Sequence, residues 1–115
     1  MEQKSKKKFK EDYKQMRFPM GVFQIRNISN DKILIDNSID MPSKWNRHKF
    51  ELNFGSHKNR ELQKDWNEKG EDNFVFEILS ELKYDDENQT DYNKELKVLQ
   101  KMVIEELNIS ENLRY

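Results

Sequence analysis

The spacing of apolar residues predicts an α+β domain with element order α-β-β-α-α-β-α: a short basic helix, a β-hairpin, two helices, a third strand and a last helix. Two observations carry this. Alternation with a period of two runs through residues 21–28 and 74–82, while between and after them apolar residues recur three or four apart, the helical spacing. A chain of 115 residues suits one domain with one modest core.

Phe9 and Tyr13 share one stripe among charges, so residues 2–15 read as a short helix that Pro19 ends. Residues 1–19 form a basic helix or arm, and residues 20–115 the domain proper. From Gly21, Phe23 and Ile25 point to one face of a strand, with Val22, Arg26 and Ile28 toward the other. Ser29-Asn30-Asp31 supplies turn chemistry, and Ile33-Leu34-Ile35 forms the second strand of a hairpin. Asp40 then caps a helix with Pro42 in its first turn; Trp45, His48 and Leu52 follow at helical spacing until Gly55. Asn59 caps a second helix, with Leu62 and Trp66 on one stripe, which Gly70 ends. Phe74, Phe76 and Ile78 alternate with Val75 and Glu77 in a third strand, and residues 84–91 form an acidic surface loop. Leu96, Leu99, Val103 and Leu107 mark the last amphipathic helix, with Met102 beside the stripe. The expected core is a single surface: Phe23, Ile25, Phe74, Phe76 and Ile78 on the sheet, with Trp45, Leu52, Leu99 and Val103 packed on it.

Charged residues make up 37% of the chain, close to a disordered composition, but seven Phe, four Tyr and two Trp argue for a folded core. There is no Cys, which excludes disulfides and cysteine-ligated zinc. No apolar run approaches the roughly 20 residues of a membrane span, so a cytoplasmic protein is the plain expectation. The net charge of −1 hides a gradient: residues 1–20 hold seven Lys/Arg against three Asp/Glu, residues 71–115 five against twelve. A basic end suits nucleic acid; an acidic end suits a different partner.

Several segments stand in a telling order: Gly21-Val22-Phe23, then Lys32-Ile33-Leu34-Ile35-Asp36-Asn37-Ser38, then Lys44-Trp45-Asn46-Arg47-His48 and Gly55-Ser56-His57-Lys58-Asn59. Leu62 through Gly70 and Asn73-Phe74-Val75-Phe76-Glu77-Ile78-Leu79 complete the series. Together they resemble the GIY-YIG nuclease family, closest to a small bacterial branch of stand-alone domains, over roughly residues 20–107. The resemblance implies a three-stranded antiparallel sheet flanked by helices. It also implies metal-assisted phosphodiester hydrolysis, in which a tyrosine activates water, an arginine stabilises the phosphate and a glutamate on the last helix holds one divalent ion.

The positions that would carry this chemistry are altered. Phe23 stands for the catalytic tyrosine and lacks its hydroxyl; it reads as core. Leu34 stands for the second tyrosine and Asp36 for a glycine. Lys44 stands for the arginine, keeping the charge but losing the bidentate fork. His48 is the best preserved polar position, with a hydrogen-bonded packing role as its plain alternative. With Leu99 on the leucine before the metal-binding glutamate, the ligand becomes Gln100, a neutral amide; Arg114-Tyr115 replaces the terminal Tyr-Asn.

Three readings follow. The first is a catalytically degenerate GIY-YIG domain that binds nucleic acid non-specifically through Lys44, Arg47, Lys49, Lys58 and Arg60, aided by His48, His57 and the lysine arm, with no cofactor. The second is an active, divergent endonuclease in which Asp36 binds Mg2+ and His48 acts as base. The third is a protein-interaction module using the acidic half.

Overall fold

The structure is a computed structural model that describes residues 17–85 and 90–115. The expected helix at residues 2–15 and most of the acidic loop after Asp85 lie outside the described residues.

The chain forms strands β1 (Gly21–Asn27) and β2 (Ile33–Ser38), helices α1 (Met41–Phe54) and α2 (Arg60–Lys69), strand β3 (Phe74–Glu81) and helix α3 (Tyr92–Leu107). The sheet is antiparallel throughout, in the order β2-β1-β3, so the first strand lies in the centre. That position explains its composition: Val22, Phe23 and Ile25 are all fully buried, one on one face and two on the other.

The hairpin closes as the turn chemistry predicts. Asn27 N–H donates to the Lys32 carbonyl at 2.9 Å, the Asn30 side chain accepts from Lys32 N–H at 2.9 Å, and Asp31 takes a positive φ of 60°. The helix boundaries are equally local in origin. Asp40 accepts from Ser43 N–H at 3.2 Å and Asn59 from Leu62 N–H at 3.0 Å. Gly55 ends α1 in the left-handed region at φ 76°.

The core departs from the expected single surface. Phe23, Ile25, Met41, Leu52, Leu62, Trp66 and Phe74 form one cluster, between the sheet and α1 and α2. Val22, Ile33, Ile35 and Val103 form a second, with Leu99 and Ile104 packed against it, between the opposite face and α3. Leu99 and Val103 therefore lie across the sheet from Phe23 rather than beside it. The central strand is apolar on both faces, and a third helix finds an uncovered face only on the far side. Ile78 shares the face of Phe23 but is 43% exposed, on the edge strand β3. Among the described residues, no helix is long and apolar enough to cross a membrane.

Candidate functional site

A cleft of about 420 Å³ opens where β2, α1 and the α1–α2 connection meet. Asp36 comes from β2, Lys44, Arg47, His48 and Glu51 from α1, and His57 and Lys58 from the connection. Asp36 pairs with Phe23 across the ladder, so its side chain projects on the same sheet face, toward α1. The α1 residues arrive together because positions 44, 47, 48 and 51 are three or four apart. His57 is drawn in by the shortness of the connection, with only Ser56-His57-Lys58 between the Gly55 and Asn59 caps.

The polar groups form a chain with one consistent direction. His57 Nδ1 accepts from Asn59 N–H at 3.0 Å, which places the ring proton on Nε2. His57 Nε2 then donates to His48 Nδ1 at 2.8 Å, and His48 Nε2 donates to Asp36 Oδ2 at 2.8 Å. All four ring nitrogens are engaged. The His57 backbone is fixed as well: its N–H donates to Gln63 Oε1 at 3.1 Å, and Gln63 Nε2 donates to the Leu52 carbonyl at 2.8 Å. Gln63 and His57 are both buried.

Burial alone would raise the Asp36 carboxyl, but the His48 hydrogen bond, the Asn37 N–H at 2.8 Å and the nearby Lys44 outweigh it and hold the group below its ordinary range. Lys44 Nζ stands 4.0 Å from Asp36 Oδ2. His57 is lowered, first by burial and then by the proximity of His48. Arg47 Nε donates to Glu51 at 3.2 Å, an exposed pair one helical turn apart.

Phe23 and Leu34 lie beneath the cleft as packing. Phe23 is fully buried, its ring tilted on Phe76 at 5.1 Å and edge-on to His48 at 6.1 Å; Leu34 packs against the same cluster. Lys44, Arg47, His48 and Lys58 are brought together, whereas three other expected positions stand apart. Lys49 lies over the Trp45 ring at 5.3 Å on another side of α1, and Arg60 opens α2 without lining the cleft. Gln100 sits on α3, its Nε2 donating to the Ile35 carbonyl at 3.1 Å and its Oε1 accepting from the Asn37 amide. Two cleft residues escaped their role in the sequence: His57, seen only as one basic residue among several, and Glu51. Glu51 follows Arg47 by four on the helix that carries the cleft, a signal available beforehand; a loop histidine offers no such period.

No protein-family model matches the chain. Intron-associated endonuclease 1 of Enterobacteria phage T4 is 36% identical over 67 residues, a match that covers 56% of this chain and 26% of that protein. The chain thus corresponds to about a quarter of the length of this curated relative. The catalytic domain of the homing endonuclease I-TevI superposes with a TM-score of 0.66 at 29% identity, covering 84% of this chain and 95% of that one. A mutant of the same catalytic domain gives 0.65 at 28% identity, with 79% and 86% covered. The expected order from the first strand onward, the antiparallel sheet and these relatives agree: the chain resembles GIY-YIG endonucleases and has the fold of the I-TevI catalytic domain.

Proposed function

We propose that this domain binds nucleic-acid backbones at the cleft and has lost the hydrolytic chemistry of the nuclease fold. The observation that carries this reading is the closed chain from Asn59 through His57 and His48 to Asp36. A general base needs a free lone pair within reach of the proton it takes. Neither ring has one while the chain is intact, and the fully buried Phe23 and the Leu34 side chain have no ionisable group to substitute.

A divalent ion does not fit the residues at its expected place either. Such a hard cation favours several oxygen ligands, with carboxylates prominent among them. Gln100 offers a neutral amide whose oxygen and nitrogen are both bound to β2. What persists is charge. Lys44, Arg47 and Lys58 line the cleft, and Asp36 and Glu51 each have a cationic or hydrogen-bonding neighbour. The names of the related proteins, both endonucleases, favour nucleic acid as the ligand of such a surface.

The divergent-endonuclease reading retains one observation in its favour: a carboxylate hydrogen-bonded to histidine at 2.8 Å is the arrangement that orients a catalytic imidazole. It requires His57 to leave His48, which would free Nδ1.

Salt tests the binding half of the proposal. Affinity for labelled duplex DNA should fall linearly on a log–log plot, with a slope of about −0.9 per phosphate neutralised. Changing both Lys44 and Arg47 to Ala should flatten that slope by about one unit for each phosphate no longer neutralised, while sequence preference stays the same. Absence of binding at low salt, or a slope that ignores both substitutions, would refute phosphate binding by the cleft and favour the protein-interaction reading.

A further inference from the structure

Phe50 and Phe54 are 63% and 73% exposed, yet they are not scattered: their ring centroids lie 4.8 Å apart at an interplanar angle of 35°. An exposed aromatic pair on a helix gains little for the fold, because neither ring is withdrawn far from water. Its position on α1 is informative. Arg47, Phe50 and Phe54 fall at i, i+3 and i+7, on one stripe of a 3.6-residue helix. Turning around α1 from the core side, Leu52 comes first, then His48, then Lys44, Glu51 and Arg47, and last the two phenylalanines. The rings are thus a ridge beside the cleft, bordered on that side by Arg47, which is paired with Glu51.

We infer that Phe50 and Phe54 form a stacking platform for unpaired bases, so that the partner of this face is a single-stranded nucleic acid whose phosphates lie toward Lys44, Arg47 and Lys58. This rests on the phosphate-binding reading above and extends it to the choice of strand state. The two features are those that single-strand binding requires: cations that track the backbone and aromatic faces that receive successive bases. A duplex could use only the cations, because its bases are stacked on one another. A purely apolar partner would find the aromatic pair bordered by charge on the cleft side, which costs desolvation. The charge complementarity of the rim thus favours a polyanion that carries its own ring systems.

The test compares three labelled probes of equal length on the full chain: an oligothymidylate, the same oligomer with abasic sites throughout, and a duplex. The wild type should bind oligothymidylate about tenfold or more tightly than the abasic strand, the scale on which stacked bases contribute. The double variant Phe50→Ala with Phe54→Ala should erase that preference and leave abasic and duplex affinities unchanged. Phe50→Tyr with Phe54→Tyr, which keeps both rings, should restore it. Equal wild-type affinity for oligothymidylate and abasic strand would overturn the stacking platform while leaving phosphate binding intact. Loss of affinity for all three probes in the alanine variant would overturn it too, by making the rings structural. So would wild-type self-association in sedimentation that the alanine variant abolishes, because the ridge would then be a contact between copies. No binding to any probe at low salt would overturn the phosphate-binding reading itself, and the platform with it.

Discussion

His57 is the residue on which the arrangement of the cleft depends. It is 4% exposed, receives the Asn59 N–H, donates to His48 and carries a backbone N–H held by the buried Gln63. An added proton on either histidine would set donor against donor, at the Asn59 N–H or between the rings, so the chain has a direction that acid breaks. The pKa directions give the sign. His57 is lowered from its ordinary 6.5, so the unfolded chain takes up this proton more readily than the folded one. Its stabilising contribution is present above about 6.5 and is lost as pH falls from there through the lower, folded value. Asp36 is also lowered, from 3.8, and its contribution is lost only in more acid solution, below that value. Urea midpoints measured against pH should therefore fall in two stages on acidification, the first starting near pH 6.5, and the variant His57→Gln should lack the first. A midpoint that rises between pH 7 and 5 would contradict this assignment.

At the scale of elements, the helix ends and the hairpin were readable because their causes are local. Asp40, Asn59, Gly55 and the Ser29-Asn30-Asp31 turn act within a few residues of themselves, and each appears where its chemistry places it. The side of the sheet that α3 covers was not readable, since periodicity names the apolar face of a helix but not which of two apolar sheet faces receives it. The network around Asn27 was equally hidden: it is 1% exposed, accepts from Asn73 Nδ2 at 2.6 Å and donates to the Tyr115 hydroxyl at 2.9 Å, joining segments remote in sequence. For the site, resemblance located Asp36, Lys44 and His48, but the partnership with His57 required the fold. One element boundary yields a direct test. Gly21 begins β1 beside the register shift between Val22 and Phe23, and a Cβ there would come within 2.0 Å of the Ser80 carbonyl oxygen and 2.8 Å of the Glu81 Cα. Both are backbone atoms of β3 that cannot rotate aside, so Gly21→Ala should destabilise the domain by about 1–3 kcal/mol, the usual scale of overpacking. Alanine tolerated without change in the urea midpoint would mean that β1 and β3 do not meet so closely.

At the scale of the whole molecule, the proposed reading is that the framework is kept and the hydrolytic chemistry is lost. The sheet and helices superpose on an endonuclease catalytic domain, while Phe23 and Leu34 serve as packing and His48 and His57 are held in a hydrogen-bond chain. The C-terminal segment supports the framework: Tyr115 N–H donates to the Ile33 carbonyl at 2.9 Å and its hydroxyl donates to Asp65 at 2.6 Å, tying β2 to α2. In the proposed reading the functional surface is electrostatic and, along α1, aromatic. Binding without cleavage is then the central claim, and one measurement addresses both parts at once. Supercoiled plasmid is titrated with the full chain at low salt, with magnesium or manganese present, and bound and nicked fractions are read from the same samples. The account predicts that the plasmid becomes fully bound and remains supercoiled. Nicked or linear product that grows with time, requires the divalent ion and disappears in Asp36→Ala or His48→Ala would contradict it and establish a divergent endonuclease.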